Sequence, residues 1–148
     1  MLKITMIGTG YVGLVSGAGI SDFGHTVTCV DISLEKINLL NSGEIPIYEP
    51  GLSDLIEKNV AAGRLMFSTD IVESIKSAEI IFIAVGTPQL SDGSADLTSV
   101  QNVATLISEN INSDKIICTK STVPVGTGNW IVEEVEGQNK NNFKIDYV

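Results

Sequence analysis

Short apolar runs alternate with stretches of helical spacing along the whole chain, and that alternation sets the expected fold before any motif is considered. Lys3-Ile4-Thr5-Met6-Ile7 reads as a first strand and Thr26-Val27-Thr28-Cys29-Val30 as a second. Between them Val12, Leu14, Val15, Ala18 and Ile20 make a small, apolar stretch suited to a buried helix, with Gly24 where a helix C′ residue falls. After Asp31, Ser33 can cap a short helix carrying Leu34, Ile37 and Leu40, which Gly43 ends. Two prolines and Gly51 make residues 44–51 a loop. A helix resumes by Leu52, with Leu52, Leu55, Ile56 and Val60 on one face and Gly63 past its end. Leu65-Met66-Phe67 is the third strand, and Asp70 and Glu73 have capping-box spacing before a short helix over 71–76.

The run Ile80-Ile81-Phe82-Ile83-Ala84-Val85 is a fourth strand, and its unbroken apolar character predicts cover on both faces and a central place in the sheet. Residues 86–96 form a loop, and Val100, Val103, Ala104, Ile107 and Ile111 mark the longest helical face. Lys115-Ile116-Ile117-Cys118-Thr119 is a fifth strand, 121–126 a loop, 127–136 a helix, 138–142 a polar connection and 143–148 a sixth strand. Strands and helices in alternation predict βαβ units and a parallel sheet: an α/β, Rossmann-type doubly wound fold of six strands, order 3-2-1-4-5-6, in one domain spanning 1–148.

Composition narrows the partners. The 148 residues hold eighteen acids against nine bases, a formal charge of −9, with no basic run, which excludes nucleic acid and anionic membrane as expected partners. No apolar stretch reaches the roughly 18 residues of a membrane span, and the start has no basic region of a signal peptide. Cys29 and Cys118 both lie inside apolar strand-like runs, which fits buried thiols and a cytoplasmic, reducing location.

The candidate chemistry begins where the first strand ends. Gly8-Thr9-Gly10-Tyr11-Val12-Gly13 has the GxGxxG spacing in a strand, glycine loop, helix, strand context. Gly8 permits the tight turn, Gly10 lets a pyrophosphate approach the backbone, and Gly13 allows close helix–strand packing, while the helix N-terminus offers N–H groups to an anion. Asp31 follows Gly13 by eighteen residues, where an acid takes the adenosine ribose hydroxyls and repels a 2′-phosphate, so the expected cofactor is NAD. In such sheets the ligand lies beyond the carboxyl ends of the strands, which nominates residues 8–13, 31–36, 86–88 and 121–126, with Thr87 and Thr122 as hydrogen-bond donors. Turn formation alone also accounts for either threonine. His25 reads as an ordinary residue at the start of a strand, and Cys118 as a packed thiol with no base near it in sequence.

Four blocks in order carry a resemblance. They are Gly8-Thr9-Gly10-Tyr11-Val12-Gly13-Leu14; Asn41-Ser42-Gly43 with Pro46-Ile47-Tyr48-Glu49-Pro50-Gly51-Leu52; Val85-Gly86-Thr87-Pro88 with Asp92-Gly93-Ser94-Ala95-Asp96-Leu97; and Lys120-Ser121-Thr122-Val123-Pro124-Val125-Gly126. Together they resemble the N-terminal NAD-binding domain of the UDP-glucose 6-dehydrogenases, more than that of the UDP-N-acetylmannosamine enzymes. The resemblance implies a full-length, homo-oligomeric parent that oxidises UDP-glucose to UDP-glucuronate with two NAD⁺ through a cysteine thioester. It implies cofactor contacts at Tyr11, Val12, Asp31, Lys36, Thr87 and Thr122, a catalytic part for Thr122 in positioning water or substrate, and a share for Glu49 in shaping the site. That family's catalytic cysteine lies in a glycine-rich stretch followed by Phe-Pro-Lys-Asp, which is not found in these 148 residues, nor is its Pro-Glu-Phe-Leu segment. The expectation is therefore a piece of a longer enzyme that binds NAD without turnover. A stand-alone NAD-sensing module and the NAD domain of another nucleotide-sugar dehydrogenase are the alternatives.

Overall fold

The computed structural model describes residues 1–139 and 142–148, so Lys140 and Asn141 of the polar connection lie outside the described residues. The elements in chain order are β1 (Lys3–Ile7), α1 (Tyr11–Asp22), β2 (Thr26–Val30), α2 (Leu34–Asn41), α3 (Leu52–Ala61), β3 (Leu65–Ser68), α4 (Ile71–Ser77), β4 (Ile80–Ile83), α5 (Thr98–Asn110), β5 (Lys115–Thr119), α6 (Thr127–Gln138) and β6 (Ile145–Tyr147). The strands form one parallel sheet in the order β3-β2-β1-β4-β5-β6, as the alternation predicts. Ile7 stands opposite Val30 on one side and Ile83 on the other, and Ile83 is level with Thr119. The carboxyl ends of β1, β2, β4 and β5 are thus flush, and the loops that leave them meet at one edge.

Each face of the sheet has its own core. Ile4, Met6, Val27 and Cys29 meet α1, α2 and α3 through Leu14, Ala18, Ile37, Leu40, Leu52 and Ile56. On the other face Ile7, Ile81, Ile83 and Ile117 meet α4, α5 and α6 through Ile75, Val100, Ala104, Ile107, Ile131 and Val135. The unbroken apolar run of β4 serves both: Ile80 and Phe82 face the first core, Ile81 and Ile83 the second. Its strand stops at Ile83 rather than Val85, because β1 ends at Ile7 and leaves no neighbour to extend the ladder. The Ala84 amide closes that edge on the Ile7 carbonyl at 2.8 Å. On the outer edge β6 is likewise shorter than 143–148, pairing only with β5.

Three helices bury most of their apolar residues but each leaves one exposed. In α1 Val12 is exposed, and the buried side is Gly13, Leu14, Gly17, Ala18 and Ser21. Small residues mark the contact because the helix lies close to the sheet: a Cβ on Gly17 would stand 2.5 Å from the Cys29 Sγ and 3.7 Å from Val27. In α2 Leu34 is exposed while Ile37 and Leu40 are buried. In α3 Val60 is exposed, while Asn59 is buried beside Leu52 and Ile56. Its amide donates to Asp22 Oδ1 (3.1 Å) and the Leu55 carbonyl (2.8 Å) and accepts from Arg64 Nε and Nη2, so a polar residue joins α1, α3 and the start of β3 with its hydrogen bonds satisfied. At α4 only half of the capping box forms: Asp70 accepts from the Glu73 amide, but its own N–H goes to Ser68 Oγ.

Replacing Gly17 with Ala tests the seating of α1. Overpacking against Cys29 is expected to cost about 1–3 kcal/mol in urea denaturation, outweighing the ~1 kcal/mol gained in helix propensity. Adding Cys29→Ala should recover most of that loss. A Gly17→Ala chain as stable as the wild type would contradict the packing.

Candidate functional site at the carboxyl edge of the sheet

The loop after β1 is shaped by three glycines in three different ways. Gly8 has φ +107°, and a Cβ there would stand 2.5 Å from the Ala84 carbonyl oxygen, so backbone rests directly on backbone. A side chain on Gly13 would fall on the carbonyl oxygen of Gly8, so the first turn of α1 sits against the loop it leaves. Gly10 is different. Apart from its chain neighbours, no atom of the described residues lies within 4 Å of its missing Cβ, and its φ of −71° and ψ of −174° suit any residue. It is the N-cap of α1, and no side chain caps that helix, so the first-turn amides face the open side of the loop.

Asp31, at the end of β2, ties this loop to its neighbour. Its Oδ2 accepts from the Thr9 amide (2.9 Å) and the Thr9 hydroxyl (2.8 Å), and its Oδ1 accepts from the Ser33 amide (3.0 Å). Lys36 Nζ stands 3.8 Å from Oδ2. Burial pushes the Asp31 carboxyl up, but the hydrogen bonds from Ser33 and Thr9, with Lys36, together hold it below the ordinary carboxylate value. It is therefore an anion with its position fixed. Ser33 also caps α2 by accepting from the Lys36 amide, which sets where that lysine leaves the helix.

Gly8, Gly10, Asp31 and Lys36 line one cleft of about 380 Å³, closed on the far side by Val85 and Gly86 after β4 and by α5. Tyr11, Val12 and Gly13 do not line it: Tyr11 and Val12 are the first two residues of α1 with exposed side chains, and Gly13 is buried beneath them. Thr87 and Thr122 come together beside it, the Thr87 hydroxyl donating to the Thr122 carbonyl at 2.8 Å, and Ser121 Oγ donating to the Val85 carbonyl at 2.7 Å laces the same two loops. Glu49 meets the Tyr11 hydroxyl. Sequence reasoning missed the α5 wall, Ser99, Asn102 and Leu106. Ser99 and Asn102 adjoin the buried Val100 and Val103 at the start of that helix, a polar i, i+3 pair that could have marked the face. A larger hollow of about 510 Å³ lies between α2 and α3, lined by Leu40, Ser42, Ile56 and Val60. It lies away from the strand ends and has no pinned charge, so the smaller cleft is the candidate site.

The residues given no chemistry keep none. His25 Nδ1 accepts from the Leu2 amide, at the opposite edge of the sheet. Burial pushes the Cys29 thiol up to about 12 and raises that of Cys118, so neither is poised as a thiolate near neutral pH. Among the described residues no three His, Cys, Asp or Glu side chains gather as a metal set, and no helix is long and apolar enough to cross a membrane.

The Asp31 lock has a sign in pH. A carboxyl held low in the folded state gives stability that is complete above its unfolded value, about 3.9, and is lost as pH falls through the lower folded value. Asp31→Asn is expected to lose about 1–2 kcal/mol at pH 7 and to show a flatter decline of urea midpoint below about pH 4 than the wild type. Parallel acid profiles would contradict the lock.

Comparison with known proteins agrees with this geometry. Residues 2–148 match the UDP-glucose/GDP-mannose dehydrogenase family, NAD binding domain. The UDP-glucose 6-dehydrogenase TuaD of Bacillus subtilis (strain 168) is 51% identical over 148 residues, which is 100% of this chain and 32% of that protein. The structure of a UDP-glucose dehydrogenase from the hyperthermophilic archaeon Pyrobaculum islandicum matches with a TM-score of 0.92 at 33% identity, over 99% of this chain and 35% of the other. The UDP-D-ManNAc dehydrogenase of Pyrococcus horikoshii matches with a TM-score of 0.88 at 27% identity, over 97% and 34%. The chain thus spans about a third of the length of the relatives it matches. A glycine loop built on backbone contact, with an acid pinned across it, is here the framework of a known dinucleotide domain, and the chain belongs to the UDP-glucose/GDP-mannose dehydrogenase family as its NAD binding domain.

Proposed function

We propose that this chain serves a UDP-glucose 6-dehydrogenase, holding the NAD with which the longer parent oxidises UDP-glucose to UDP-glucuronate, two NAD⁺ being consumed. The observation that carries the reading is Gly10, whose open side is required by nothing in the protein itself. A Cβ there would meet only a ligand. The uncapped start of α1 turns its positive end to the same space, so the diphosphate is held by backbone N–H groups, those of Tyr11 and Val12 included. Contact through amides suits two residues whose side chains stand outside the cleft.

Asp31 takes the adenosine ribose. Thr9 and Ser33 occupy part of each of its oxygens and fix the carboxylate, leaving it acceptor capacity toward the cleft. The same charge disfavours a 2′-phosphate, while Lys36 lies close enough to offset part of it. At the far end of the cleft, the joined loops of Thr87 and Thr122 face the nicotinamide, and Thr122 positions water or substrate there. The chemistry the cofactor supplies is acceptance of a hydride. Transfer needs an alcohol held against that ring, and the grip on the sugar nucleotide belongs to the rest of the parent. UDP-glucose is favoured over UDP-N-acetylmannosamine by the higher identity to the UDP-glucose enzyme. A cytoplasmic, homo-oligomeric parent completes the reading, its location supported by two free cysteines.

Calorimetric titration of this chain should show NADH binding at least about tenfold more tightly than NADPH, and the reverse order would overturn the role of Asp31. Gly10→Val should lower NADH affinity by roughly tenfold or more at a stability cost of no more than about 1 kcal/mol. Unchanged affinity would remove the diphosphate from that loop. With UDP-glucose and NAD⁺, these 148 residues are expected to give no absorbance rise at the NADH band, and measurable turnover would contradict the division of labour.

A further inference from the structure

The crossover from β2 to β3 holds two helices, α2 and α3, joined by residues 42–51. Ile45 and Ile47 of this loop pack on the α1 side of the core, while Pro46 and Tyr48 face outward, Tyr48 being 89% exposed. The alternation turns Glu49, half-buried, toward the start of α1, where its carboxylate accepts a hydrogen bond from the Tyr11 hydroxyl, 38 residues away in sequence. Tyr11 directly follows Gly10 and begins α1. Its side chain, half exposed, does not line the cleft that Gly8 and Gly10 line. A tyrosine at a helix start has alternative staggered rotamers, and the cleft that Gly10 lines is open and is not lined by the ring. Something must decide which side the ring takes, and the carboxylate of Glu49 is its only partner of that strength in contact with it among the described residues.

We propose that Glu49 is a positioning residue for the dinucleotide: through the Tyr11 hydroxyl it keeps the phenol ring out of the space beside Gly10 that the diphosphate occupies. The proposal rests on the NAD reading above. Glu49 acts on the ligand only through Tyr11. A carboxylate suits the task because a phenol donates to it more strongly than to water or an amide, and the pair sits on a solvated rim. The two helices of the crossover then have a purpose, since the loop between them brings an acceptor from beside α3 to the start of α1.

The test is calorimetric titration of NADH into the full 148-residue chain and its variants. Glu49→Ala and Tyr11→Phe free the ring by separate routes, and both should raise Kd roughly two- to tenfold, the cost of restraining one such side chain on binding. Glu49→Gln keeps an acceptor and should stay within about twofold of the wild type. The double variant Tyr11→Ala with Glu49→Ala should bind as tightly as Tyr11→Ala alone, because without the ring the carboxylate has nothing to hold. A Glu49 that only shaped its loop would weaken binding equally in both backgrounds. Wild-type affinity in Glu49→Ala, or a loss that persists once Tyr11 is alanine, would overturn the proposal. A wild-type chain that fails to bind NADH would overturn the NAD reading and this inference with it.

Discussion

The backbone of Gly8 lies against the backbone of Ala84, closer than any side chain on residue 8 would allow, and much of the molecule follows from that approach. It brings the turn after β1 onto the end of β4, the two central strands of the sheet. With the turn so placed, α1 must begin at once, and Gly13 lets its first turn settle on the Gly8 carbonyl. The buried side of α1 then has to be thin, which is why Gly17 and Ala18 rather than its larger residues meet Cys29 and Val27. Gly10, one residue before that helix, is left as bare backbone with nothing but its chain neighbours near its missing Cβ among the described residues.

Electrostatics complete what sterics begin. A chain of net charge −9 repels a diphosphate at long range, so attraction has to be local. The positive groups at this edge are the uncapped start of α1 and Lys36. Asp31 would oppose both if it were free to swing, but Thr9 and Ser33 hold its carboxylate in one place. The two bonds from Thr9 join the loops after β1 and β2, and the one from Ser33 fixes the carboxylate within its own loop, so one residue sets the site's shape.

Most of the fold was legible in the sequence because strand and helix periods differ and the chain rarely mixes them. The β4 run announced its central place by having no polar position, and Gly24, Gly43 and Gly63 each take the positive φ that ends a helix. The exposed apolar positions share one cause: hydrophobicity is only a proxy for burial. Val12, Leu34 and Val60 are apolar and exposed, while Gly17 is buried for its size and Asn59 for its hydrogen bonds. The site divides in the same way. Gly8, Gly10 and Asp31 are readable as motif and Lys36 through the resemblance, and they meet in one cleft, but the α5 wall is tertiary placement and carries no motif. The Tyr11 and Glu49 contact had only its two blocks as a sign, since nothing in their spacing says that residues 44–51 return to the start of α1.

The account stands on the dinucleotide lying at the carboxyl edge of β1 and β2 rather than in the larger hollow between α2 and α3. Backbone amide chemical shifts followed through an NADH titration separate the two places directly. The account predicts the largest changes at Thr9, Gly10, Tyr11, Val12 and Asp31, with Asn41, Gly43 and Ala61 little changed. Shifts concentrated at Asn41, Gly43 and Ala61, with the glycine loop still, would contradict it.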